Sequence, residues 1–218
     1  MQYSTIIPAA GKGERLNLGY NKLLYRYNNQ SILEKTIQPF LNDNDCSEII
    51  IVCSKIDLDY ISSYLKNPKL RYVIGGSVRE ESVYNGVIVA KEDYILIHDG
   101  ARPFIDIELI ERIKNALRSS VSVIPVVKSK DATLINGKYV QDAKVDLIQT
   151  PQAFHKNKFL EAMSRLIEDK SFAKYKDDAS IMQDILDIVP TCVEGDYKNI
   201  KITTSSDLLS LEVNDSAK

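Results

Sequence analysis

Ile6-Ile7-Pro8-Ala9-Ala10-Gly11-Lys12-Gly13-Glu14-Arg15-Leu16 begins as a short apolar strand and breaks at once into small residues, glycine and cations. In an open α/β sheet, ligands sit at the carboxyl ends of strands. Small residues there let backbone amides approach a phosphate closely, and Lys12 and Arg15 add positive charge. A plain strand-to-helix turn with solvated charges has the same look. The stretch is not a dinucleotide fingerprint, which wants Gly or Ala where Leu16 stands. It is not a Walker motif either, because Gly11-Lys12 runs into Gly13. Outward from this stretch the unit repeats. Ile49-Ile50-Ile51-Val52, Tyr72-Val73-Ile74, Tyr94-Ile95-Leu96-Ile97 and residues 121–127 read as strands buried on both faces. Between them, Ser31-Ile32-Leu33-Glu34 has capping-box spacing ahead of Ile37, Phe40 and Leu41. Residues 106–117 set Ile107, Leu109, Ile110, Ile113 and Leu117 on one helical stripe, and 156–168 is helical again. Alternating β and α units predict a mostly parallel sheet with helices on both faces. A last strand is expected over Asn199-Ile200-Lys201-Ile202-Thr203, leading into a helix capped near Ser205 or Ser206.

Residues 128–149 break the rhythm. Short alternating segments flank Asn136-Gly137, a hairpin turn signal, so this region reads as a projecting arm. No repeat and no linker rich in Pro, Gly or Ser marks a boundary. Residues 1–218 are therefore expected to form one domain with an arm at about 128–149.

The chain has 218 residues, 44% hydrophobic and 27% charged, with a formal net charge of −2. That is ordinary globular composition, and it lacks the basic field that nucleic-acid binding needs. No apolar run reaches the roughly 18 residues that span a bilayer, and Met1-Gln2-Tyr3-Ser4-Thr5 has no basic leader region. Cys46, Cys53 and Cys192 lack metal spacing and read as reduced cytoplasmic thiols. Two histidines, His98 and His155, leave little room for a His-rich zinc site or a Ser-His hydrolase.

Four further stretches carry chemistry. Gly75-Gly76-Ser77-Val78-Arg79-Glu80-Glu81-Ser82 follows a strand and opens a helix, whose first N–H groups are free donors; Ser77 and Ser82 are placed to meet a base edge, or to do no more than cap the helix. In His98-Asp99-Gly100-Ala101-Arg102-Pro103-Phe104, Asp99 suits a Mg²⁺ ligand or a turn residue; His98 reads as a packed structural residue. Gln149-Thr150-Pro151-Gln152 is the third. In the fourth, 195–203, strand alternation turns Lys201 away from Ile200 and Ile202. Asp57-Leu58-Asp59 resembles a glycosyltransferase metal motif but sits at a helix start, and is read as capping acid.

In this order and spacing, with Asn21-Lys22, these stretches resemble the 2-C-methyl-D-erythritol 4-phosphate cytidylyltransferase family over about residues 4–211. The related ribitol 5-phosphate enzymes typically have Gly-Gly where this chain has Ala10-Gly11, and Ser-Val where it has Gly100-Ala101. The resemblance implies a Rossmann-like nucleotidyltransferase fold, a cytoplasmic homodimer, and Mg²⁺-dependent CMP transfer from CTP to a sugar-alcohol phosphate, with no nucleic-acid or membrane partner. It implies that Arg15, Lys22 and Lys201 surround the triphosphate and transition state, and that Asp99 holds the metal. Ala9, Ala10, Gly11, Gly13, Gly76, Ser77 and Ser82 would bind the nucleotide, and Arg102 and the arm the acceptor.

The chain departs from the family pattern on the acceptor side. Asp131-Ala132-Thr133 stands where the family usually has Asp-Thr, Asp142-Ala143-Lys144 where it has Asp-Arg, and Lys176 where it has Thr before the acidic pair. Thr133, Lys144 and Lys176 are the replacements expected to hold the acceptor phosphate. Lysine supplies charge without the planar fork of arginine. Methylerythritol phosphate is the expected acceptor. Another polyol phosphate such as ribitol or glycerol phosphate, and a nucleotide binder that does not catalyse, are the alternatives.

Overall fold

In the computed structural model the residues described are 1–11, 16, 18–140, 145–169, 175, 177–208 and 211. Among them, β1 (Tyr3–Ala9), β2 (Arg26–Tyr27) and β3 (Gln30–Ser31) lead into α1 (Ile32–Asn42). Then come β4 (Cys46–Cys53), α2 (Leu58–Tyr64), β5 (Leu70–Ile74), α3 (Arg79–Ile88), β6 (Tyr94–Ile97), α4 (Ile107–Leu117) and β7 (Ser122–Lys128). The chain ends with β8 (Thr133–Ile135), β9 (Lys138–Val140), β10 (Asp146–Ile148), β11 (Gln152–His155), α5 (Lys156–Asp169), α6 (Asp178–Leu186) and β12 (Thr191–Glu194).

The central sheet runs β10-β7-β11-β6-β1-β4-β5, with β12 on the other edge of β7. β5, β4, β1 and β6 are mutually parallel. The chain builds outward from β1 to β4 and β5, then returns to β6 on the other side of β1. That reversal opens a crevice at the carboxyl ends of β1 and β6.

Pleating assigns the two faces. Tyr3, Ile7, Ile49, Ile51 and Cys53 pack with α1 and α4 residues such as Phe40 and Ile110. Ile6, Ile50 and Val52 pack with Val83 of α3, Phe159 of α5 and Met182 of α6. Each face buries its own core, which is why Ile6-Ile7 of β1 and Ile49-Ile50-Ile51-Val52 of β4 read as continuous apolar runs. Gly86 seats α3 close to the sheet: a Cβ there would lie 2.7 Å from Ile6 and 2.9 Å from Val52. α1 carries the capping box expected of Ser31 and Glu34.

Four expectations are corrected. β5 is an edge strand, and Ile74 is exposed rather than buried on both faces. Ile107 opens α4 on its exposed side while Leu109, Ile110, Ile113 and Leu117 are buried. Residues 199–203 are not a strand; they run over the carboxyl ends, tied by Ile202 N–H to Ala101 O at 2.8 Å, and the final sheet strand is β12. The helical turn at 205–208 is closed by the Asp207 carboxylate, which accepts from Thr203 and Thr204 N–H, not by Ser205 or Ser206.

The arm takes the expected form. β8 and β9 pair around Asn136-Gly137, both with positive φ (51° and 76°), the signature of a type I′ turn. β10 then returns to pair with β7.

Candidate active site

Asp99 lies one residue beyond His98 at the end of β6 and is the electrostatic centre of the crevice. Lys201 Nζ is 2.9 Å from its Oδ2, Arg102 Nε 3.5 Å from the same oxygen, and Arg79 NH2 3.8 Å from Oδ1. Burial pushes the Asp99 carboxyl up. The positive charge of Lys201, then Arg79 and Arg102, outweighs it and holds the group well below the usual carboxylate range. Asp99 is thus a fixed anion inside a larger positive field.

His98 explains how Asp99 is held. Its Nε2 faces the Arg102 carbonyl at 3.2 Å and its Nδ1 faces the Thr150 hydroxyl at 3.0 Å. A neutral imidazole protonated on Nε2 satisfies both: Nε2–H donates to Arg102, and Thr150 donates to Nδ1. Burial pulls the imidazole down to about 4, consistent with that neutral form. Thr150 Oγ1 also accepts the Asp99 N–H at 3.0 Å. His98 is therefore the packed, hydrogen-bonded residue its sequence context suggested, and it orders the turn that presents Asp99.

The last segment is fastened across this turn. Asn199 Nδ2 donates to Thr150 O at 2.8 Å, and Arg102 NH1 donates to Asn199 O at 2.7 Å. Gln149 exchanges two bonds with the Asp196 backbone. These bonds aim Lys201 at Asp99. Lys22 arrives from the opposite side and donates to Ile202 O at 2.6 Å. It is aimed by Asn21, whose amide donates to Ala9 O at 2.8 Å and to Asp57 Oδ2 at 3.0 Å. Asp57 makes no cap bond on α2, so its role is to brace Asn21, with Ser54, rather than to cap.

The small-residue loops meet as well. A Cβ on Gly75 would lie 2.8 Å from Ala10 Cβ and 2.8 Å from Ser82 Oγ, so only glycine lets these turns touch. The Ser82 hydroxyl accepts from Gly76 N–H and donates to Val78 O, and Ser77 donates through both N–H and Oγ to Glu81. Both serines thus shape the loop from within. Gly11 is exposed, with open space around it.

The crevice gathers Ala9, Ala10, Lys22, Asp99, Arg102 and Lys201, with the Gly76 loop alongside. Thr133 does not join them: its hydroxyl donates to Asp131 O at 3.1 Å, within its own arm. Gly13, Arg15, Lys144 and Lys176 lie outside the described residues. Arg79, for which the sequence suggests no role, also faces Asp99. It opens α3, where a cation opposes the helix dipole, and that mismatch was the available signal.

A divalent cation fits Asp99. Among the described residues no hydrogen bond reaches Oδ1, leaving one hard oxygen donor. Mg²⁺ commonly takes only one or two carboxylates and completes its shell with phosphates and water. The acids Asp43, Asp45 and Glu111 also lie close enough to share an ion, but Lys114 Nζ already sits among them at 3.1, 2.6 and 2.6 Å.

Known proteins resemble this chain from end to end. The family model described as IspD, 2-C-methyl-D-erythritol 4-phosphate cytidylyltransferase, matches residues 3–214. The chain belongs to this family. Among curated cytidylyltransferases of that name, the one from Geobacillus kaustophilus is 35% identical over 97% of this chain and 96% of its own length. The one from Bacillus licheniformis is 35% identical over 97% and 95%. A crystal structure of 4-diphosphocytidyl-2C-methyl-D-erythritol synthase from Anaerococcus prevotii superposes with a TM-score of 0.85 at 32% identity, covering 99% of this chain and 98% of that one. The cytidylyltransferase from Thermus thermophilus gives 0.82 at 27% identity, covering 99% and 100%. The cytidylyltransferase fold is a mostly parallel sheet covered on both faces, as here.

Proposed function

We propose that the protein transfers CMP from CTP to 2-C-methyl-D-erythritol 4-phosphate and releases pyrophosphate. The observation that carries this reading is the convergence of Arg79, Arg102 and Lys201 on Asp99 at the crevice, with Lys22 bonded to Ile202 O next to Lys201. A phosphate oxygen of the acceptor attacks the α-phosphorus of CTP. The new P–O bond forms as the bond to the β-phosphate oxygen breaks, and pyrophosphate leaves with that electron pair. Both reactants are anions, so positioning and charge neutralisation dominate over proton transfer. Lys22, Lys201 and Arg15 supply fixed positive charge where negative charge builds on the α-phosphoryl oxygens and the leaving group. A Mg²⁺ ion at Asp99 would add charge neutralisation on the phosphate oxygens.

In the same reading Ala9, Ala10, Gly11, Gly13 and the Gly76–Ser77 loop with Ser82 receive the nucleotide. Arg102, Lys144 and Lys176 hold the acceptor, and the arm that carries Thr133 does so by reaching into the crevice of the other subunit. Residues 1–218 act as one domain and pair as a homodimer through the arm at about 128–149. The exposed Leu134, Ile135, Tyr139, Leu147 and Ile148 support that pairing. A cytoplasmic site of action is supported by the free Cys46, Cys53 and Cys192. No described helix is long and apolar enough to cross a membrane.

The test is pyrophosphate release with CTP and a panel of methylerythritol, ribitol and glycerol phosphates. Methylerythritol phosphate is expected to be turned over fastest, and CTP to stabilise the fold more than ATP or GTP. Faster turnover of another polyol phosphate overturns the acceptor. No release with any of them leaves only a nucleotide binder.

A further inference from the structure

Asp178 is fully buried at the start of α6 and binds Arg79 bidentately, NH1 to Oδ1 at 2.8 Å and NH2 to Oδ2 at 2.7 Å. Capping does not require this carboxylate. Asp177 caps α6, accepting from Ser180 N–H at 3.0 Å. The backbone that carries Asp178 is held in place: Gln152 Oε1 accepts its N–H at 3.1 Å and that of Ala179 at 2.9 Å. The effect of the bidentate pair is on Arg79. With both terminal nitrogens taken, the guanidinium stops 3.8 Å from Asp99 Oδ1, beyond hydrogen-bond reach. Arginine ordinarily forks onto a carboxylate placed this near. Here the nearer carboxylate has captured it.

We propose that Asp178 is a positioning residue: it holds Arg79 just off Asp99 and so keeps Oδ1 open for a divalent cation that arrives with the nucleotide. The proposal rests on the reading of Asp99 given above. Arg79 is then a restrained competitor of that cation, and Asp178 the restraint. Without the restraint, Arg79 closes onto Asp99 and the pair shuts the oxygen.

The experiment titrates Mn²⁺ by electron paramagnetic resonance in the presence of CTP and without acceptor, so the readout is binding and not turnover. Asp178→Asn is expected to weaken Mn²⁺ by about 10–100-fold, the usual cost of losing an outer partner of a metal ligand. Its crystal structure should show Arg79 within hydrogen-bond distance of Asp99. Arg79→Lys keeps a cation on Asp178 with a single nitrogen and a shorter reach, and should bind Mn²⁺ as well as wild type or better. Should Asp178→Asn fold poorly, Arg79→Lys alone still decides, because an Arg79 that assists the cation predicts a loss there. Wild-type Mn²⁺ affinity in Asp178→Asn, or weakening beyond about threefold in Arg79→Lys, overturns the proposal while leaving the function intact. Absence of any CTP-dependent Mn²⁺ binding in wild type overturns the cation reading of Asp99 and the proposal with it.

Discussion

The two ends of the parallel strands are electrostatic opposites. At the carboxyl ends Asp99 sits among Lys201, Arg102 and Arg79. At the amino ends Lys114 sits among Asp43, Asp45 and Glu111, with the Tyr3 hydroxyl donating to Asp43 at 2.7 Å. Both hubs enclose a charge that the opposite sign surrounds, yet they serve different ends. Lys114 is 2% exposed and its acids close on it, so this hub ties β1, α1 and α4 together. The Asp99 hub leaves its surplus cations facing a crevice: the Lys201 side chain is 39% exposed and that of Arg79 32%. A closed hub contributes to stability, and an open one waits for an anionic ligand.

Exchanging the two roles would break this comparison. Lys201→Ala is expected to lower kcat about 10²–10³-fold, the loss seen when one preorganised electrostatic donor is removed, with the urea midpoint unchanged. A rate within about threefold of wild type would show that the pairing of Lys201 with Asp99 does not reach the chemistry. Lys114→Met should do the reverse. It strands buried carboxylates and costs about 3 kcal/mol, at the low end for a broken buried pair because Glu111 and Asp45 are partly exposed. Urea denaturation reads that loss, and kcat per folded molecule should stay put.

The open hub can be sharpened by asking how far its positive field extends. Lys144→Ala or Lys176→Ala is expected to raise the acceptor KM roughly 10–150-fold, by the 1.5–3 kcal/mol of a charge-assisted bond at 1.4 kcal/mol per tenfold, with the KM for CTP barely moved. A two-substrate kinetic matrix separates the two constants. The smallest effect is a pH window. Burial lowers the Lys114 pKa, but the carboxylates of Asp45, Glu111 and Asp43 outweigh it and raise the group above the usual lysine value of 10.5. Its contribution is complete below 10.5 and fades as pH rises beyond, because the unfolded lysine loses its proton first. The stability gap between wild type and Lys114→Met should therefore narrow above pH 10.5 and stay constant from 7 to 9. A gap that widens there would contradict the assignment.

The two ends were unequally legible in the sequence. Strands β1, β4 and β6 announce themselves because burial on both faces selects the apolar runs Ile6-Ile7, Ile49-Ile50-Ile51-Val52 and Ile95-Leu96-Ile97, and the arm announces itself through Asn136-Gly137. β12 was missed: Thr191, Cys192 and Glu194 are exposed on an edge, so no apolar pattern marks it. Ile200 and Ile202 promised a strand, but Ile202 is buried and Ile200 partly buried without a ladder among the described residues; Ile202 N–H bonds Ala101 O instead. In the candidate site, Lys22, Asp99 and Lys201 lie in motifs legible in the sequence. Arg79, Asp178 and Gln152 act through one another across wide sequence gaps, and no local spacing records that. The Lys114 hub was invisible for the same reason, since Asp43 and Asp45 meet Lys114 from about 70 positions away.

The bond from Lys22 Nζ to Ile202 O joins residues 180 positions apart. Such a long-range contact can form only after the intervening chain exists. During synthesis the Gly-rich turn, the Asp99 turn and the α3 loop all emerge before the residue that completes them. A growing polypeptide therefore presents no complete cation cluster to the nucleotide pool until the segment carrying Lys201 and Ile202 has been made.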